Sequence, residues 1–175
     1  MLNDDCFATL MHAFITSRID YCISLLAGAP ETSTDKLQRV MNAAARIISN
    51  TRKFDRGLTQ LRRDLLHWLD VTDRITFRLC VHVFLCGCVT LHGMAPSCLS
   101  ELCRLVSEFE GRRHLRSSDH SQLDVPHYRL ATIGRGAFGY AGPKAWNSLP
   151  DYLRCSDLSL ETFKRQLKTF VFAHY

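Results

Sequence analysis

The chain has 175 residues, 46% of them apolar and 22% charged. That composition excludes a disordered or low-complexity chain and allows one domain, or two small ones, with a real core. The formal charge is +5, carried by 17 arginines against 5 lysines, and arginine's planar fork suits phosphate and carboxylate pairing.

Residues 4 to 27 have apolar residues at helical spacing (Phe7, Leu10, Met11, Phe14, Ile15) and predict a helix, or two with a joint near Arg18 to Tyr21. Gly28 and Pro30 end it. Asp4 and Asp5 do not form the metal-holding carboxylate pair of a polymerase. Such a pair sits on a strand turn, whereas acids here open a helix, where the dipole favours them.

Thr32 and Asp35 have capping-box spacing. The helix they introduce runs to about Asn50, with Leu37, Val40, Met41, Ala44, Ile47 and Ile48 on one face. Lys36, Arg39, Arg46 and Lys53 line the opposite side. From Lys36 to Arg63 there are eight basic residues (with Arg52, Arg56 and Arg62) and one acid, Asp55, a local net charge of +7. Such a row is a candidate polyanion surface; it is equally what a solvated helix face looks like.

A short helix is expected around Leu58 to Trp68, then a long apolar one over Val71 to Leu91, which Gly93 and Pro96 stop. Its apolar part is shorter than the roughly 20 residues of a membrane span, so it reads as a core helix and no membrane partner is expected. "PSCLSELCRLV" opens another short helix. Composition turns polar near Glu108, which divides the chain into a helical part, 1–107, and a smaller α+β part, 108–175. In the latter a β-hairpin is expected: Val125 to Thr132, a turn at Gly134 to Gly136, then Ala137 to Tyr140. Pro143 then starts a helical turn, and Trp146 on that turn plugs the space between hairpin and last helix. Ser159 to Ala173 is the final helix, with Phe163, Leu167, Phe170 and Val171 as its stripe.

No chemistry-bearing constellation emerges. The eight cysteines (6, 22, 80, 86, 88, 98, 103, 155) mostly fall among apolar residues. With no secretory leader in "MLNDDCF", they read as thiols of an intracellular, nuclear or cytoplasmic, chain. Cys98, Cys103, His114 and His120 have a loosely finger-like order but lack the tight first knuckle of a zinc site. "GRGAFGYAG" has no lysine where a phosphate-binding loop needs one. The expectation is no catalytic residue, no metal and no cofactor.

Taken together, "HAFITSRIDYCISLLAGAP" (12–30), "LQRVMNAAARII" (37–48), "LLHWLDVTDRITFRLCVHVF" (65–84), "HGMAPSCLSEL" (92–102), "RGAFGYAGPKAWNSLPDYLR" (135–154) and "LETFKRQLKTFVF" (160–172) form a series. In this order they resemble the tail of the reverse transcriptase polyprotein of non-LTR retrotransposons, the LINE elements of the chicken-repeat and jockey-like groups. The resemblance spans nearly the whole chain. Ile23 departs from it, standing where the family usually has asparagine.

The resemblance implies that residues 1 to about 105 follow the polymerase palm and include the helical thumb, the rest being a C-terminal extension. The family's polymerase aspartates and its endonuclease map onto no residue here, so a non-catalytic, truncated copy is implied, with a surface that docks a palm absent from this chain. A thumb grips template and primer, which agrees with Lys36, Arg39, Arg46, Arg52, Lys53 and Arg56 binding RNA or an RNA–DNA hybrid without sequence preference. The alternative is a helical scaffold or protein-interaction module that binds no nucleic acid.

Overall fold

The computed structural model describes residues 4–91, 101–109, 121–127, 134–155 and 157–173. Its elements, in order, are α1 (Asp4–Asp20), α2 (Glu31–Ser49), α3 (Leu58–Asp64), α4 (Val71–Leu91), α5 (Phe138–Asn147) and α6 (Leu160–Ala173). Single 3₁₀ turns lie at Ile23–Leu26, Glu101–Cys103, Val106–Glu108 and Asp151–Leu153. The molecule is mainly helical, and among the described residues none of these helices is long and apolar enough to cross a membrane.

The organising element is α4, which is buried on more than one side. Its Val71, Ile75 and Leu79 join a cluster with Ile19, Ile23, Met41, Ala44, Ala45 and Trp68 from the N-terminal elements. Its Cys80, Val81, Val83 and Phe84 join a second cluster with Trp146, Leu149, Leu153, Phe163, Leu167 and Val171. Two apolar sides are thus buried, and Thr72 and His82 mark what is left to solvent. The stacked rings of Phe84 and Phe163, centroids 4.2 Å apart, tie α4 to α6.

Polar groups fix the α4 N-terminus. Its first residue, Val71, donates its backbone N–H to Gln38 Oε1 of α2 at 2.9 Å, so a neighbouring helix satisfies a donor that no helix can satisfy internally. Arg74 donates to Asp20 of α1 at 2.7 Å and to the Leu69 carbonyl at 2.9 Å. The buried Arg62 pairs with Asp70 just before the helix begins.

Several expectations are corrected. The hairpin does not form among the described residues. Ala137 is the N-cap of α5, and Phe138 to Tyr140 are its first turn. Val125 to His127 are irregular, and residues 128–132 lie outside the described residues. The physical reason is packing. A Cβ on Gly142 would sit 3.0 Å from Val83, and one on Gly139 2.9 Å from Leu102. The glycines are therefore close-approach points of a buried helix, not turns. Pro143 does not start the helix but lies inside it. The only extended pairing described is an isolated bridge between Leu105 and Leu123.

Thr32 caps nothing either: α2 begins at Glu31 after Pro30, without a side-chain cap. Its buried residues are Thr34, Met41, Ala44 and Ala45, whereas Val40 and Ile47, assigned to the buried stripe, are exposed. On α1 the stripe is half wrong in the same way, with Leu10 and Phe14 in solvent. The α6 stripe holds: Phe163, Leu167 and Val171 are buried, and Ser159 Oγ accepts from Thr162 N–H at 3.3 Å at its start. Gly93 and Pro96 fall outside the described residues.

Candidate nucleic-acid interface

The basic residues of α2 and the segment after it are built on two backbone reversals. Asn50 ends α2 in the left-handed region, φ 52°, with its N–H on the Arg46 carbonyl; asparagine tolerates that conformation better than most residues. Gly57, φ 85°, then turns the chain into α3. Between them lies a tight turn closed from both ends. Asp55 N–H donates to the Arg52 carbonyl at 3.2 Å, and Arg52 N–H donates to Asp55 Oδ2 at 2.8 Å.

This geometry distributes the expected cations. Lys36 and Arg39 are exposed on α2. Arg46, further along the helix, is half-buried, and its Nε is buried with no hydrogen-bond partner. Arg52, Lys53 and Arg56 are exposed on the loop. Lys53 therefore does not extend the helical row, because α2 stops at Ser49; it stands on the turn, its Nζ 5.6 Å from the centroid of the Phe54 ring. Arg46 and Arg56 line an open hollow of about 810 Å³, together with Asn42, Asp55, Arg63 and Asp64.

Two sets of cations differ in their partners. Arg62, Arg74, Arg78 and Arg154 pair with Asp70, Asp20 and Asp151, with Arg62, Arg74 and Arg154 themselves buried. None of Lys36, Arg39, Arg46, Arg52, Lys53 and Arg56 makes an ion pair among the described residues. Three carboxylates offset most of the four charges of the first group; in the second, all but the half-buried Arg46 are exposed, as a surface that meets a polyanion requires.

Elsewhere the polar groups serve the fold. Trp68 Nε1 donates to His12 Nδ1 at 2.7 Å. Burial, and after it the Arg74 charge, hold the His12 pKa below its ordinary value. Burial pushes the Cys80 thiol up to about 12, which makes it inert. Cys80 and Cys86 are buried and Cys103 is partly so, whereas Cys6, Cys22 and Cys155 are free and exposed. Among the described residues no group of three or more His, Cys, Asp or Glu side chains could hold a metal ion; Cys98, His114 and His120 lie outside them.

Sequence reasoning missed two residues. Phe54, inside the basic loop, is 88% exposed; its signal was the pattern Arg-Lys-Phe-Asp-Arg itself. Asn147 holds Leu123 with its side-chain amide, and no local pattern announces that. No protein-family model, no curated protein and no solved structure matches the chain.

Proposed function

We propose that this chain is a non-catalytic C-terminal portion of a LINE-type reverse transcriptase, with a thumb-like helical part that binds RNA or an RNA–DNA hybrid without sequence preference. The observation that carries the binding is the pairing of the cations: among the described residues those from Lys36 to Arg56 make no ion pair, while the buried Arg62, Arg74 and Arg154 do. Exposed arginine and lysine contact phosphates, set register and read no bases. The ordered series of sequence blocks supports the family origin. No residue of the chain carries over the palm aspartates or the endonuclease, so the reading includes no catalysis and no cofactor.

One further observation supports a docking role. Phe14, Tyr21 and Leu25 are 64%, 80% and 77% exposed, with Leu10, Val40 and Ile47 also in solvent on the first two helices. In this reading a polymerase palm covers them. In the rival reading, a protein-interaction module, they are the whole function and the cations only solvate. Titration of the purified chain against a dye-labelled hybrid duplex separates the two: saturable, salt-sensitive binding supports the first, and its absence supports the second.

A further inference from the structure

The loop after α2 presents an aromatic ring where a purely electrostatic surface needs none. Phe54 is 88% exposed, so it forgoes the gain that burial gives a phenylalanine. It sits at the corner of the Arg52–Asp55 turn, which two reciprocal hydrogen bonds close. The ring is therefore held outward by a backbone that is already ordered. Arg52, Lys53 and Arg56 surround it in sequence, all exposed. The hollow rimmed by Asp55 and Arg56 begins at the next residue, with Arg46 also in its lining.

We infer that Phe54 is a stacking platform for one unpaired base, with the flanking phosphates received by Arg52, Lys53, Arg56 and Arg46. The ligand class is single-stranded nucleic acid, or the unpaired overhang beside a duplex. A duplex hides the faces of its bases against one another, whereas every unpaired base offers a π-face without regard to sequence. Lys53 Nζ stands over one face of the ring, 5.6 Å from its centroid, so the base stacks on the opposite face and the cation remains near the adjoining phosphate. The hollow is large enough for a nucleotide, about 810 Å³ against the ~300–1,000 Å³ of ordinary ligand clefts. Asp55 and Asp64 also line the hollow, and their negative charge means that the phosphates must lie on the side of Arg52, Lys53 and Arg56. This inference rests on the nucleic-acid reading above and adds the form of nucleic acid and the residue that distinguishes it.

The test uses the full chain, a short dye-labelled oligoadenylate and a blunt hybrid duplex, with Phe54→Ala, Phe54→Leu and Phe54→Trp beside wild type. An exposed loop residue leaves folding intact, checked by thermal melts. The expected result is that Phe54→Ala and Phe54→Leu weaken oligoadenylate binding about tenfold, as loss of one stacked base does, with duplex binding unchanged. Phe54→Trp retains binding, and its indole emission is quenched on addition of oligoadenylate. If both small variants bind the oligomer as wild type does while charge removal still weakens the duplex, the stacking inference is wrong and the electrostatic reading stands. If wild type binds neither probe, both fall.

Discussion

The side-chain amide of Asn147 and the backbone of Leu123 exchange two hydrogen bonds: Leu123 N–H donates to Asn147 Oδ1 at 2.9 Å, and Asn147 Nδ2 donates to the Leu123 carbonyl at 2.8 Å. The amide thus acts as a strand would along one edge of Leu123, while the 104–106 segment pairs with its other edge through Val106 N–H to the Gln122 carbonyl and Asp124 N–H to the Arg104 carbonyl, both 2.9 Å. Leu123 is buried, so these bonds have little water to replace them. Asn147→Ala should destabilise the fold by about 1–3 kcal/mol, the cost of stranding buried backbone groups. Denaturant titration measures it, and protection of the Leu123 amide from hydrogen exchange should fall in step.

The neighbouring Trp146 completes the clamp. Its ring lies against Phe84 and Phe163, and its Nε1 donates to the Ser121 carbonyl at 3.0 Å. Trp146→Ala empties that site and should cost about 3–5 kcal/mol. Binding to nucleic acid should change only through lost folding. A variant that keeps its stability but loses binding would make Trp146 a ligand contact and contradict its packing role.

The N-terminal half-turn of α4 predicts a pH effect. Burial, and then the nearby Asp70 charge, raise the Asp73 carboxyl to about 6, and its Oδ2 is buried without a partner. A folded-state value above the unfolded 3.8 means that the native state binds the proton more tightly. That contribution is full below the unfolded value and is lost as pH rises through about 6. Asp73→Asn, which imitates the protonated form, should raise the melting temperature at pH 8, and the gain should shrink toward pH 4. An equal gain at both ends would show that charge is not the cause.

Gly28 carries a backbone prediction. Its φ is +69°, and a Cβ there would lie 3.0 Å from the backbone of Arg135 and Gly136. Neither contact can swing aside, since both are main chain. Gly28→Ala should destabilise by about 1–3 kcal/mol through strain alone, whereas Gly87→Ala, with nothing near its Cβ, should be neutral or stabilising. Thermal melts of the two variants make the comparison.

Which elements were legible follows from how local their determinants are. Helix α4 was bounded correctly at Val71 and Leu91, because apolar residues at helical spacing over several turns need no partner to be recognised. The α6 stripe was legible for the same reason. Helix α5 was not: Gly139, Gly142 and Pro143 are poor helix formers in isolation. What makes them helical is contact with Val83 and Leu102, far away in sequence. Val40 and Ile47 misled because their periodicity fits a buried face whose edge is set by where α1 happens to pack. In the candidate site, the cations were legible from composition. Their pairing was not, since Asp20 lies more than fifty residues from the Arg74 it neutralises.

If the cations from Lys36 to Arg56 bind nucleic acid through its phosphates, affinity must fall as salt rises. The most direct measurement is the salt dependence of affinity for an RNA–DNA hybrid, comparing wild type with Arg39→Gln/Arg52→Gln/Lys53→Gln. These three residues are exposed and outside the core ion pairs, unlike the half-buried Arg46, so the variant should fold normally. Wild type should bind in the non-specific range, about 10⁻⁴–10⁻⁶ M at physiological salt. The triple variant should bind more weakly, its log–log slope smaller by roughly one for each phosphate contact removed. A folded triple variant with unchanged affinity and unchanged slope would contradict the claim.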